Sequence, residues 1–534
     1  MNRQLLAFAI ISAIPAAAAS TCESLATFAR PNTTITTAES VTSGSFKPPM
    51  GFAIDKLPAF CRIAGVLKPS SDSEIMFEVW MPSSGWNGKF EGVGNGGFAG
   101  SITFPGLAAA LRRGFATAAS DTGHTAGGTD AKWALGHHEK VVDFGYRAVH
   151  ETAEAGKALV AAFYGDGPKK SYFSSCSNGG REALMEAQRY PADYDGIVAG
   201  APANNWTHLV SSGTWESQAM VSDPANYIPA AKLPAIEAAA LAACDANDGV
   251  KDGVLENPVA CHFDPSVLLC KGAESDACLT EAQLGTLKKI YSGPQDSKGK
   301  PMYLGYSPGG EPGGNGWGGW ISGASAGKSL QYAFGTNFFK YMVFDNADWD
   351  IKTFSVEHDM KVADDKVGQI LNATDPNLKK FKDRGGKLIV YHGWSDAAIP
   401  PTNAIEYYKS VAAKMGAKQT DSFVRLFMVP GMQHCGGGPG PNMFGQTSEL
   451  NSDAQHDINR AVEHWVEDGV APAQIIATKY KIGANPASGV ERTRPLCPYP
   501  QVAQWKGSGS TDDAANFTCA VAAGAGGGGK RSAE

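Results

Sequence analysis

Residues 170–189 read KSYFSSCSNGGREALMEAQR: a short β-prone run, a cluster of small residues, then apolar positions at helical spacing. A strand that turns at once into a helix through Ser175-Cys176-Ser177-Asn178-Gly179-Gly180 has room only for small side chains two residues before and after Ser177. Ser175 stands at the first of these positions, where glycine is usual, and keeps the volume small. Such a turn raises the Ser177 hydroxyl above the C-terminal edge of a sheet, with the positive end of a helix beneath it. It also requires that strands and helices alternate around it, which makes the expected fold class α/β. Taken alone, the segment could equally be an ordinary glycine-rich start of a helix.

The rest of the chain supplies that alternation. Residues 74–80 (EIMFEVW) alternate like a half-buried strand, 107–113 read as helix, and 115–120 as a buried strand. Residues 143–163 carry apolar side chains at helical spacing, and 171–174 and 196–199 read as short strands. After about Asn204 the pattern breaks into Ala-rich helix (229–243), long loops and four cysteines, and 307–320 (SPGGEPGGNGWGGW) reads as loop. Alternation resumes with strands at 387–391 and 423–429 and helices at 404–415 and 457–468. The simplest organisation is one α/β domain in two parts, 20–203 and 376–534, interrupted by an inserted lid domain, 204–375. The arrangement of strands should be a mostly parallel sheet.

An unassisted serine hydroxyl is a poor nucleophile and needs a base held by a carboxylate. With a turn of this kind the chain order is serine, then acid, then histidine, the last two on loops after strands. Strand 387–391 ends in His392-Gly393-Trp394-Ser395-Asp396, and strand 423–429 in Pro430-Gly431-Met432-Gln433-His434-Cys435. Asp396 and His434 therefore stand where acid and base belong, while His392, at a strand end before the acid, reads as structural. A hole for the oxyanion needs two backbone N–H groups. One is that of Asn178, and Gly97 in the run GNGGFAG, after the strand-like residues 89–91, is the expected second. A phosphate cradle is the rival reading of that run, but no Lys-Ser/Thr pair follows it.

The first nineteen residues read as a secretory signal peptide, with Arg3, an apolar stretch and a small-residue cleavage site before Ser20. The mature protein should be secreted or periplasmic. No other stretch reads as a membrane span, and 53 acidic against 46 basic residues argue against a nucleic-acid partner. Ten cysteines without a CxxC pair suit five disulfides in an oxidising compartment rather than a zinc site. Proximity suggests Cys22–Cys61, Cys244–Cys261, Cys270–Cys278 and Cys497–Cys519, leaving Cys176 and Cys435 as a long-range pair.

The strings Cys176-Ser177, Asp396 and His434-Cys435, with SYFSSCSNGGREAL, YDGIVAGAPANNW, YHGWSDAAIP, VPGMQHCGGGPG and RTRPLCPYPQ around and beyond them, resemble the tannase/feruloyl esterase family of α/β-hydrolases. The resemblance covers nearly the whole mature chain. It implies the α/β-hydrolase fold with a large inserted lid, a disulfide between Cys176 and Cys435 that ties nucleophile to base, and serine carboxylic-ester hydrolysis. The substrate class would be aromatic acyl esters, feruloyl (hydroxycinnamoyl) or galloyl, such as those derived from plant cell wall or tannin.

Residues 244–254 (CDANDGVKDGV) offer an all-oxygen set, the Asp245, Asp248 and Asp252 side chains with the Val250 and Val254 carbonyls, suited to calcium. The family resemblance implies a structural Ca2+ at these positions; a solvated acidic turn is the plainer alternative. The insertion is rich in aromatics, among them Trp206, Trp215, Trp317, Trp320 and Phe334, which suit a planar acyl group or a lid core. By their nearness in sequence to elbow and acid loop, Trp206 and Ile399 are the expected substrate contacts. Relatives that hydrolyse mono(2-hydroxyethyl) terephthalate hold its carboxylate with a lid arginine, and residues 329–339 contain none, so that activity is the alternative. A serine peptidase on the same fold and a non-catalytic carbohydrate-binding protein are the remaining alternatives.

Overall fold

The computed structural model describes residues 21–446 and 453–521. The expected leader, residues 1–19, lies outside the described residues. Nine strands make the central sheet: β1 (Thr33–Val41), β2 (Phe60–Leu67), β3 (Ile75–Pro82), β4 (Lys89–Val93), β5 (Ala116–Ser120), β6 (Lys170–Cys176), β7 (Gly196–Gly200), β8 (Lys387–Gly393) and β9 (Val424–Val429). Their order is β1-β2-β3-β5-β4-β6-β7-β8-β9. Every pair from β5 to β9 is parallel, and β1, β2, β3 and β5 pair antiparallel at one edge.

The strands are apolar on both faces because helices cover both. In β7, Ile197 and Ala199 face one layer and Val198 the other; in β8, Leu388 and Val390 oppose Ile389 and Tyr391. The helices α2 (Ala148–Tyr164), α3 (Asn178–Arg189) and α8 (Thr402–Met415) pack on the first face. On the other lie α1 (Phe104–Arg112) and α9 (Ile458–Asp468). Each large side chain buried in this way, such as Leu159 or Trp465, contributes roughly 1.5–3 kcal/mol. The helix expected over 143–163 begins with a π-helical turn, Asp143–Arg147, whose Phe144 and Gly145 carbonyls accept from the buried Arg181 guanidinium.

Between β7 and β8 the chain builds an inserted region around two further apolar clusters, the first of them shared with Phe98, Phe144, Ala398 and Ile399 from the loops of the sheet domain. Its longer helices are α4 (Trp206–Val221), α5 (Leu233–Cys244), α6 (Glu281–Ser292) and α7 (Leu330–Phe338). A reciprocal Thr280–Gln283 capping box starts α6, and the Ser329 hydroxyl caps α7. The stretch expected to be loop through Trp320 instead ends in a π-helical turn, Gly318–Ser322, because Trp317 and Ile321 are drawn into the second cluster. One segment, Pro224–Asp248, is long and apolar enough to pass for a membrane span by composition, contrary to the sequence reading. It is broken into short helical pieces, and Leu233, Ile236 and Ala240 of α5 are buried in the second cluster or beside it.

All ten cysteines are paired as proximity and the family resemblance suggest: Cys22–Cys61, Cys176–Cys435, Cys244–Cys261, Cys270–Cys278 and Cys497–Cys519. Beyond α9 the chain adds two hairpins, Ile475–Tyr480 with Val490–Leu496 and Gln501–Trp505 with Phe517–Val521.

Candidate active site

The loops after β4, β6, β8 and β9 converge at the C-terminal edge of the parallel strands, where open α/β sheets bind their ligands. Between β6 and α3, Ser177 takes φ 67° and ψ −124°, a left-handed conformation that costs an L residue strain. The turn is held by Ser177 N–H donating to the Gly200 carbonyl and by Ala203 N–H donating to the Ser177 carbonyl. Its tightness explains the small residues: a Cβ on Gly179 would lie 1.9 Å from Ser175 Oγ. Glycine at 179 is what allows serine at 175.

Ser177, His434 and Asp396 are brought together. His434 Nε2 lies 2.9 Å from Ser177 Oγ, and His434 Nδ1 lies 2.9 Å from Asp396 Oδ2. The other carboxylate oxygen of Asp396 accepts the N–H groups of Ala398 (2.8 Å) and Ile399 (3.0 Å). Burial alone would raise the Asp396 carboxyl, but His434 and His392 outweigh it and hold the group well below the usual carboxylate range. A relay of this geometry can take the proton from the serine hydroxyl and stabilise the imidazolium that results. His392, read from sequence as structural, is fully buried, and its Nε2 lies 3.2 Å from the same Asp396 Oδ2.

The 176–435 bridge spans 259 residues and brings its Cα atoms to 6.0 Å, joining the residue before Ser177 to the residue after His434. The lid is tied to the same loops. Asn315 Nδ2 donates to the carbonyls of His434 and Gly436, Gln433 Nε2 to those of Gly310 and Pro312, and Ser395 Oγ to that of Gly309.

In the loop after β4, Asn95 N–H donates to Glu182 on α3, Phe98 N–H to Gly128 O and Ala99 N–H to Gly96 O. Gly97, at φ 59°, keeps its N–H out of these bonds. The carbonyl of Asn95 would sit 3.1 Å from a Cβ on Gly179, so this loop packs directly on the start of α3, beside Asn178.

The two expected substrate contacts are both buried. Trp206 is 3% exposed and packs against Phe98 and Phe144, with the Arg181 guanidinium over its ring. Ile399 is 2% exposed, and its backbone serves Asp396. The aromatic side chain that meets the relay is Trp320, half-buried and edge-on to His434 at 4.9 Å, with Phe334 stacked parallel at 6.0 Å. Nearness in sequence could not single it out; only the folding of the glycine-rich strap brings it there.

The five expected calcium ligands lie in one loop, and their donors are all hard oxygens, which suits calcium. The carboxylates have protein partners: Asp245 accepts from Asp252 and Gly253 N–H, Asp248 from Val250 N–H, and Asp252 pairs with Arg492 and Arg494. Val250 and Val254 have buried side chains. Among the described residues no group of three or more His, Cys, Asp or Glu is placed to hold a metal ion. Burial, and with it the charge of Asp252, raises the Asp248 carboxyl, so acid crowds acid here. The donor set fits a hard cation by its chemistry rather than by its placement.

Fold and site together define an α/β-hydrolase with a Ser–His–Asp relay under an inserted lid. The chain belongs to the tannase and feruloyl esterase family, whose model matches residues 61–520, and it is a carboxylic-ester hydrolase. It is 47% identical to an uncharacterised esterase of Xanthomonas campestris pv. campestris over 94% of this chain and 92% of that protein. It is 35% identical to a mono(2-hydroxyethyl) terephthalate hydrolase of Piscinibacter sakaiensis over 87% of this chain and 85% of that one. Feruloyl esterase B from Aspergillus oryzae superposes with a TM-score of 0.87 at 32% identity, over 94% of this chain and 99% of that chain.

Proposed function

We propose that the protein is a secreted serine esterase that cleaves aromatic acyl esters, feruloyl or galloyl, through an acyl-enzyme. The observation that carries this reading is the unbroken relay from Ser177 Oγ through His434 to Asp396, with both contacts at 2.9 Å. Ser177 Oγ attacks the ester carbonyl carbon as its proton passes to His434 Nε2. The tetrahedral oxyanion is held by the N–H groups of Asn178 and Gly97. On collapse, His434 protonates the departing alcohol. Water then repeats the sequence on the acyl-enzyme and releases the acid.

The choice of acyl group rests on Trp320 and Phe334, whose stacked rings offer a planar wall beside His434. Trp206, through Phe98, and Ile399 back this region from behind. Secretion fits five disulfides with no free cysteine among the described residues. Product analysis on methyl ferulate, methyl gallate and mono(2-hydroxyethyl) terephthalate side by side tests the reading. One of the first two should lead, because α7 has no arginine for the terephthalate carboxylate. Preference for the terephthalate ester would overturn the assignment of substrate class.

The role proposed for the Cys176–Cys435 bridge is to fix the distance between nucleophile and base. By the chain entropy it removes from the unfolded state, a bridge across 259 residues is worth roughly 5.5 kcal/mol. The paired Cys176→Ser, Cys435→Ser variant should lose about 10- to 100-fold in kcat well below its lowered Tm, with KM little changed. Full activity in the cold would leave the bridge only a staple.

Calcium at the 245–254 loop is a structural proposal, supported by the oxygen donors and the crowded acids. Chelator-treated protein should gain several degrees in Tm on adding millimolar calcium. Asp245→Asn should remove that gain, and a Tm indifferent to calcium would count against the site.

A further inference from the structure

The second turn of α3 carries a carboxylate that the proposed reaction does not use. Glu182 is 1% exposed. Its Oε1 accepts from Asn178 Nδ2 at 2.8 Å, and its Oε2 accepts the backbone N–H of Asn95 at 3.0 Å. Those two partners belong to the two segments that present the proposed oxyanion donors: Asn178 itself and the loop that holds Gly97.

The surroundings make this an improbable place for a carboxylate without a task. Arg181, next in the chain, spends its guanidinium elsewhere, on Asn178 Oδ1 and on the carbonyls of Phe144, Gly145 and Leu371. Burial pushes the Glu182 carboxyl up to about 7, although Arg181, Asn95 N–H and the Asn178 amide all pull it back. A buried acceptor with only neutral donors is costly to keep. The fold makes room for it: a Cβ on Gly94 would come within 2.5 Å of Glu182 Oε2. The far side of the loop is anchored too, since Asn95 Nδ2 donates to the carbonyls of Ser101 and Ser120, both at 2.8 Å. A single buried network thus runs from Arg181 through Asn178 and Glu182 to Asn95 and the end of β5.

We propose that Glu182 is a positioning residue for the oxyanion hole: its carboxylate clamps Asn178 to the 94–97 loop and fixes the spacing between the Asn178 and Gly97 N–H groups. This rests on the reading of those two groups as the oxyanion donors. Glutamine at 182 keeps the size but offers one acceptor where two are needed. Its amide nitrogen must face either the Asn178 amide or the Asn95 N–H, donor against donor, and the loop must give way. Misplacing an oxyanion donor falls on the transition state, not on the ground state.

The test compares Glu182→Gln with wild type in kcat, in KM, in affinity for an arylboronic acid that forms a tetrahedral adduct on serine, and in affinity for the free carboxylic acid product. The expected result is a loss of about 10²-fold in kcat with a parallel loss of boronate affinity, while KM and product affinity stay within about threefold. Asn178→Ala, which removes one arm of the clamp and keeps the backbone N–H, should show the same split more weakly. The two changes combined should cost less than their product. If Glu182→Gln does not fold, Asn178→Ala alone carries the test. Boronate affinity and kcat within threefold of wild type overturn the proposal, and so does a loss shared equally by product and boronate. Failure of wild type to form the boronate adduct would instead overturn the serine-nucleophile reading on which the proposal stands.

Discussion

Ser177→Ala is expected to lower kcat by about 10⁶-fold on whichever ester of the panel the wild type prefers, with KM within a few fold. The hydroxyl is the sole feature removed. His434, left without Ser177 Oγ at 2.9 Å, has no proton to take, and no covalent adduct can form at this position. A fluorophosphonate should add its mass to wild type and not to the variant. The proposed oxyanion donors, the N–H groups of Asn178 and Gly97, would still polarise a bound ester, so a small residue of catalysis over water is expected to survive. The elbow should be undisturbed, because alanine keeps the Cβ and therefore the strain of φ 67°. Ser177→Gly offers an internal check. It is equally inactive but relieves that strain, by about 1 kcal/mol, and should melt above the alanine variant. Turnover retained by both would place the nucleophile elsewhere in the chain.

What the sequence could reveal was local. The elbow is legible because strand, small residues and helix follow one another within twenty residues, and Asp396 and His434 because each closely follows a strand. The edge strand β1 and its neighbour β2 escaped for different reasons. β1 reads TTITTAESV, polar at most positions and nowhere fully buried, and β2, though mostly apolar, has its run interrupted by Arg62, which bridges across strands to Glu39 and Glu78. The 245–254 loop shows the opposite case. Its acids were legible, but Arg492 and Arg494, some 240 positions away, were not, and they take Asp252. Trp320 belongs with these, since nothing near it in sequence marks its approach to His434, whereas Trp206 and Ile399, near the elbow and the acid in sequence, are buried. Glu182 carried a faint signal, a polar pair four residues apart on one face of α3, but its second partner comes from the loop after β4.

Asp396→Asn should cost about 10⁴-fold in kcat, and the structure dictates why the loss cannot be evaded by turning the amide over. One carboxylate oxygen of Asp396 accepts two backbone N–H groups, those of Ala398 and Ile399. In asparagine only the carbonyl oxygen can accept, so it must take that place, and the NH2 is forced into the position of Oδ2. There it confronts His434 Nδ1, at 2.9 Å, and His392 Nε2, at 3.2 Å. Both rings must present a lone pair to it. For His434 that means a proton on Nε2, facing Ser177, so the ring donates to the hydroxyl that it should deprotonate. The imidazolium formed during attack also loses its counter-charge. Wild-type Asp396 stays ionised far below the usual carboxylate range, so its own titration does not shape the acid limb of the rate profile; the variant's loss should therefore persist at neutral pH and not be recovered by mild acid. The checks are kcat across pH and the rate of fluorophosphonate labelling, which should fall in step. Unchanged labelling with reduced turnover would mean that Asp396 orients something other than His434, and the relay as drawn would be wrong.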